Sequence, residues 1–174
     1  EFTGNTREII ITGEAYCKIT KNSSKPFMVH LPNGSVKVLG TEFNVNTYKS
    51  DFTAVSLVEG KINVTGANKT IAVNPGNQAV FDGKSIVEKS FDPKTVLSWR
   101  QGLFFLDETD IVEISALLKR WYGVQVVVDN PVLYKKRFAG VINKNLSIEA
   151  LLDDLKVIAK INSFFSKDGN LHLK

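Results

Sequence analysis

From Glu8 to about Glu88 apolar and polar residues alternate in short runs: Phe27, Val29 and Leu31; Val36 and Val38; Phe43 and Val45; Val55 and Leu57; Ile62 and Val64; Ile71 and Val73; Ala79 and Phe81. In an extended chain successive side chains point to opposite faces, so each run predicts a strand with one face buried. Turn chemistry separates the runs at Pro32-Asn33-Gly34, Gly66-Ala67-Asn68, Asn74-Pro75-Gly76-Asn77 and Asp82-Gly83, where Gly, Asn and Pro supply the backbone angles that chain reversal needs. Short strands at this spacing predict an all-β domain over residues 1–90, a sandwich or a related coiled β architecture. The segment Glu14-Ala15-Tyr16-Cys17-Lys18-Ile19-Thr20 is echoed by Glu59-Gly60-Lys61-Ile62-Asn63-Val64-Thr65, and Pro32-Asn33-Gly34 by Pro75-Gly76-Asn77. That echo predicts an internal repeat.

After Phe91 the period changes. Asp92-Pro93 starts a helix, because Asp caps free amide groups and Pro is tolerated at the first helical position. A linker over residues 91–102 is therefore predicted, helical to Arg100, with Val96 and Trp99 on one face and Gly102 as its stop. Trp99 is expected to anchor it onto a domain. From Leu103 helices alternate with strands. Leu103–Leu106 reads as a strand, and Ile111, Ile114, Leu117, Leu118 and Trp121 form a helical stripe capped by Thr109 or Asp110, with Lys119 and Arg120 near its end and Gly123 just beyond. Val124–Val128 follows as a strand. The pattern then repeats as strand Phe138–Ile142, cap Ser147, stripe Ile148, Leu151, Leu152, Leu155 and Ile158, and strand Ser163–Ser166. The turn Asp168-Gly169-Asn170 returns the chain as a last strand, Leu171–Leu173. Two strand-helix-strand units predict a small α/β domain over residues 103–174.

The 174 residues suffice for two small domains. A formal charge of +4, from 22 Lys and Arg against 18 Asp and Glu, is spread along the chain and gives only weak support for a nucleic-acid or anionic-membrane partner. No stretch approaches the roughly 20 apolar residues of a membrane-spanning helix. Glu1 to Gly13 lacks the basic end and apolar run of a signal peptide, so a soluble chain is expected. Cys17, the one cysteine, excludes an internal disulfide and reads as a core thiol.

Catalysis and metal binding need converging side chains, which this sequence scarcely offers. His30 and His172 lie far apart, each in a strand and without a second ligand at metal spacing. No phosphate-cradling glycine loop, nucleophile elbow or helical zinc motif occurs, so no metal, cofactor or catalytic group is expected. Asp107, Glu108, Asp110 and Glu113 cluster at a helix start, where the helix dipole accounts for them. Lys135-Lys136-Arg137 beside Tyr134 and Phe138 is better explained as edge-strand protection than as a nucleic-acid site. The sequons at Asn22, Asn33, Asn63, Asn68 and Asn145 read as ordinary loop and strand-end usage. At Gly40-Thr41 a hydroxyl adjoins the preceding carbonyl, so an acyl shift is chemically available if the backbone is strained; a tight bend is the simpler explanation.

Gly13-Glu14-Ala15-Tyr16, Val36-Lys37-Val38-Leu39-Gly40-Thr41-Glu42-Phe43-Asn44-Val45, Leu57-Val58-Glu59-Gly60-Lys61-Ile62-Asn63-Val64 and Pro75-Gly76-Asn77-Gln78-Ala79 occur in the order found in the FecR family, which the chain resembles. The segment Trp99 to Phe105 and the helix ending Lys119-Arg120-Trp121-Tyr122-Gly123-Val124 resemble the carboxy-terminal domain of Bacteroidetes members. Cys17 departs from the pattern, which usually has an aromatic residue there. The resemblance implies the periplasmic sensor of a single-pass inner-membrane anti-sigma factor, whose cytoplasmic segment, absent here, holds an extracytoplasmic-function sigma factor. It also implies a partner: the periplasmic amino-terminal domain of a TonB-dependent outer-membrane transducer, SusC-like or siderophore-importing. The carboxy-terminal domain is then expected to be similar to the secretin and TonB N-terminus (STN) fold. Relatives can be cut at a Gly-Thr bond, which implies Gly40-Thr41 here.

Small sheets leave edges that accept another chain's strand. The residues expected to receive the partner are Phe138 and Gly140 on one strand and Leu171, His172 and Leu173 on the last. A rival reading is a carbohydrate-binding or cell-surface module, with Tyr16, Tyr48, Trp121 and Tyr122 stacking on sugars; Trp121 is expected to lie at least partly in the core because it continues a helical stripe.

Overall fold

The computed structural model describes residue 2, residues 5–49 and residues 52–174; the side chain of Ile158, predicted to belong to a helical stripe, lies outside the described ones. The chain divides into two compact units, Glu1–Leu97 and Ser98–Lys174.

The first unit is built of strands β1 (Arg7–Ile10), β2 (Glu14–Ile19), β3 (Phe27–Leu31), β4 (Gly34–Val38), β5 (Thr41–Lys49), β6 (Phe52–Glu59), β7 (Ile62–Gly66), β8 (Lys69–Val73), β9 (Asn77–Phe81) and β10 (Ile86–Ser90). One five-stranded sheet has the order β1-β3-β4-β7-β8 and the other β10-β9-β6-β5-β2. All pairings are antiparallel except β1 on β3. Successive pairs of strands therefore alternate between the sheets, and the alternation of apolar residues aims both inner faces at one core. Val29, Val36 and Val64 of one sheet and Phe43, Val45, Val55, Leu57 and Ala79 of the other are fully buried in it. The sequence echo marks no structural equivalence: Glu14–Ile19 lies in the second sheet and Ile62–Gly66 in the first. Its turns differ too, since Pro32-Asn33 joins two strands of one sheet whereas Asn74-Pro75-Gly76 carries the chain from one sheet to the other.

Turn residues hold this arrangement through side-chain to backbone bonds. Asp82 accepts the amide protons of Lys84 and Ser85 at 2.7 and 2.6 Å, closing the turn between β9 and β10. The Glu88 carboxylate accepts the Asn74 amide at 2.9 Å and the side chains of Asn77 at 2.8 Å and Asn74 at 3.2 Å, stapling β10 to the crossover turn. The Asn74 amide first, and the Asn77 side chain second, lower the Glu88 pKa from its ordinary 4.5. A carboxyl lowered in the folded state contributes stability above its unfolded pKa, and loses it as pH falls through the folded value. In Glu88→Gln the urea midpoint is accordingly expected to fall less between neutral pH and pH below 4.5 than in the parent; equal pH dependence would remove Glu88 from this role.

Unit two begins after helix α1 (Pro93–Val96), whose cap is Asp92 accepting the Lys94 amide. The predicted single linker helix is two separate turns: α1 stops at Leu97, and Ser98–Gln101 forms a 3-10 turn belonging to the second unit. Trp99 lies in that turn, half-buried, and its carbonyl accepts the Gly102 amide at 2.9 Å. Gly102 needs its positive φ of 76° to leave the turn. There follow β11 (Leu103–Thr109), α2 (Ile111–Tyr122), β12 (Val126–Val128), a 3-10 turn Pro131–Lys135, β13 (Phe138–Asn143), α3 (Ile148–Ala159), β14 (Ser163–Phe165) and β15 (Leu171–Leu173). Asp110 caps α2 by accepting the Glu113 amide at 2.8 Å, Gly123 ends it at φ 72°, and Ser147 caps α3. Ile111, Ile114, Leu117 and Leu118 of α2 and Leu151 and Leu155 of α3 share a core with Leu171 and Leu173.

Candidate functional site

Two small sheets of the second unit carry the strands expected to meet a partner. β11 and β13 form an antiparallel two-stranded ribbon, and β12, β15 and β14 form a sheet in that order. The final strand is consequently not an edge. β15 pairs in parallel with β12 and antiparallel with β14, so its backbone is occupied on both sides. Leu171 and Leu173 are 0% exposed and belong to the core. His172 points to the other face, where its Nδ1 lies 2.9 and 3.1 Å from the two carboxylate oxygens of Asp129 and its ring stacks on Phe164 at 4.8 Å. The sequence located the strand correctly, but its place as the last one in the chain said nothing about its place in the sheet.

β13 has the open side that the final strand lacks, because it pairs with β11 alone among the described strands. Phe138 is buried, whereas Ala139, Gly140 and Val141 are exposed, with Gly140 at φ 143°. Opposite them β11 bulges between Leu106 and Thr109, with Glu108 at φ 49°. On the outer face Val141 stands across from Phe105, both exposed. Phe138 and Gly140 are thus brought to one ribbon, and the final-strand residues to a different sheet. β12 and β14 are the terminal strands of that second sheet.

The other candidates lie elsewhere in the two units. Thr41 is buried, and its hydroxyl donates to the Lys61 carbonyl at 2.9 Å. A Cβ on Gly40 would lie 2.4 Å from the Lys21 Cα, and one on Gly60 2.8 Å from the Gly40 oxygen; glycine is required at both sites because backbone passes there. His30 pairs with Glu8 at 3.0 Å. Cys17 packs against the first core, where burial pushes its thiol pKa up, so its reactive thiolate is disfavoured. Asp110 serves as a helix cap, and among the described residues no group of His, Cys, Asp and Glu is arranged to hold a metal ion. Trp121 packs edge-on to Phe104 at 6.2 Å, and Tyr122 donates to the Leu146 carbonyl at 3.2 Å, which commits both to the second core. Tyr16 donates to Glu42 at 2.6 Å, and Tyr48 is exposed. No helix among the described residues is long and apolar enough to cross a membrane.

The FecR protein model matches residues 1–63 and the FecR C-terminal model residues 103–172. In structure the chain is similar to a candidate anti-sigma factor from Parabacteroides distasonis ATCC 8503. Against the crystal structure at 1.65 Å the TM-score is 0.83 with 29% identity, over 100% of this chain and 82% of that one. Against the one at 2.50 Å the TM-score is 0.83 with 30% identity, over 99% and 82%. The chain belongs to the FecR family. No curated protein sequence matches it. FecR proteins are regulators and not enzymes. The FecR protein match runs from the amino terminus through β1 into β7 and contains Gly40-Thr41, and the C-terminal match contains both small sheets.

Proposed function

We propose that this FecR chain is the periplasmic signal-receiving region of a single-pass transmembrane anti-sigma factor, relaying the state of a TonB-dependent outer-membrane transducer to an extracytoplasmic-function sigma factor. The observation that carries the reading is the occurrence of both FecR matches, in order, on a chain whose structural relative is a candidate anti-sigma factor. In this proposal the second unit, with two strand-helix-strand segments and a last strand as in STN-like domains, receives the transducer's periplasmic amino-terminal domain. The ribbon edge at β13 supports that role, since an unpaired strand edge offers backbone donors and acceptors to an incoming strand. The cytoplasmic segment that would hold the sigma factor, and the membrane span, are parts of the proposal outside this sequence.

Calorimetry against the periplasmic domain of the transducer encoded beside the protein tests the assignment. Saturable binding is expected, abolished when residues 103–174 are removed from a chain whose β unit still unfolds cooperatively. Binding that survives removal would place the receiver in the β unit. No binding by two folded proteins would overturn the reading. A cut at Gly40-Thr41 would add a step to this role without replacing it; intact-mass spectrometry of the purified chain showing one uncut species would dispose of that step.

A further inference from the structure

From the sequence, the basic run Lys135-Lys136-Arg137 between β12 and β13 reads as protection for a strand edge rather than as a nucleic-acid site. Its structure is more specific. Asn130 accepts the Val132 amide at 3.0 Å, Pro131 sets the first turn angle, and the Lys136 amide donates to the Leu133 carbonyl at 3.2 Å. Leu133, 2% exposed, pins this rigid turn into the second core. Its neighbours point out: Val132 is 57% and Tyr134 51% exposed, and Lys135, Lys136 and Arg137 are all exposed.

Its cations are uncompensated. Lys135 and Lys136 have no side-chain hydrogen bond or ion pair among the described residues, and the Arg137 guanidinium reaches only the Lys136 carbonyl, at 3.1 Å. Asp129, the one carboxylate between Val124 and Ile148, is turned to His172. An aliphatic and an aromatic tip beside three free cations match the layered chemistry of an anionic bilayer surface. Lys and Arg meet the phosphates there, while Tyr and Val enter the boundary with the acyl chains.

We propose that the turn Pro131–Arg137 docks on an anionic phospholipid surface, with Val132 and Tyr134 entering the interface and Lys135, Lys136 and Arg137 held by headgroup phosphates. This goes beyond transducer recognition and does not depend on it, because the vesicle and transducer assays fail separately. In a tethered protein such a contact would fix the orientation of the second unit relative to the membrane.

Co-sedimentation of the full chain with phosphatidylcholine vesicles, with and without about a third phosphatidylglycerol, provides the test. Each basic residue near such a surface strengthens binding about fivefold, so the three together predict an anionic over neutral preference on the order of a hundredfold. Raising NaCl should weaken it, as screening shortens the reach of the charges. Lys135→Glu, Lys136→Glu and Arg137→Glu combined should abolish sedimentation at an unchanged melting temperature. Tyr134→Trp should place a fluorophore that brominated lipids quench beyond the background of Trp99 and Trp121. Equal sedimentation with neutral vesicles, none with anionic ones, or binding that survives the triple reversal would overturn the proposal. So would loss of transducer binding in the reversed variant when the parent binds no vesicles, since the patch would then be a protein interface.

Discussion

Phe81→Ala is expected to lower the stability of the N-terminal unit by about 3–5 kcal/mol, the cost of truncating a buried aromatic side chain. Phe81 is 1% exposed. From the second sheet its ring reaches across the core and covers a glycine pair of the first, Gly34 opposite Gly66. A Cβ on Gly66 would stand 2.5 Å from the ring, and one on Gly34 2.8 Å from it and 2.1 Å from the Thr65 carbonyl oxygen. The ring supplies the bulk that two glycines lack, and strands paired on both sides leave the backbone little freedom to close the void. Gly66→Ala alone should also destabilise by overpacking. Combined with Phe81→Ala it should cost less than the sum, because the void admits the new methyl group. Urea unfolding of the four proteins measures the cycle. A loss under about 1.5 kcal/mol for Phe81→Ala, or strict additivity, would contradict the packing described.

Leu171→Asp is expected to unfold the C-terminal unit. Leu171 is 0% exposed in the middle strand of its sheet, and a carboxylate left unpaired there costs more than about 4 kcal/mol, a large part of a small domain's stability. His172→Ala, one residue on, should cost only about 1 kcal/mol or less. It removes a partly exposed contact with Asp129 and a stack on Phe164. The tryptophan bands of the near-UV circular dichroism, which come from Trp99 and Trp121 of this unit, should therefore collapse for the first variant and persist for the second. The contrast governs tests of partner recognition: lost binding after changes at Leu171 or Leu173 reports unfolding, and only His172 on that strand, or Ala139 to Val141 on β13, can report contact. A folded Leu171→Asp variant would mean that β15 is not the centre of the sheet.

Local chemistry was legible wherever a residue acts on its chain neighbours. The alternation Phe27, Val29, Leu31 predicts β3, and Asp110, Gly123 and Ser147 mark helix ends, because period and capping depend on residues at most a few positions apart. Its helical stripe predicts that Trp121 lies at least partly in the core, and it packs half-buried against the second core. The 3-10 turn at Pro131 went unread, although Asn130-Pro131 signals a turn and Val132 and Tyr134 flank the one apolar residue that anchors it.

Pairing and the order of strands in a sheet were not legible. Glu14–Ile19 and Ile62–Gly66 look alike in sequence yet enter different sheets, and the last strand of the chain lies between two others. The sequence by itself determined which segments extend, which coil into helices and which faces turn inward, since these follow from periodicity and local hydrogen bonding. Only the tertiary structure decided which edges remain open, which glycines must stay bare, as beneath Phe81, and which charges stay uncompensated, as at Lys135 and Lys136. Each of those depends on groups brought together from distant parts of the chain, and a residue's type and near neighbours do not specify which distant strand, ring or carboxylate will arrive beside it.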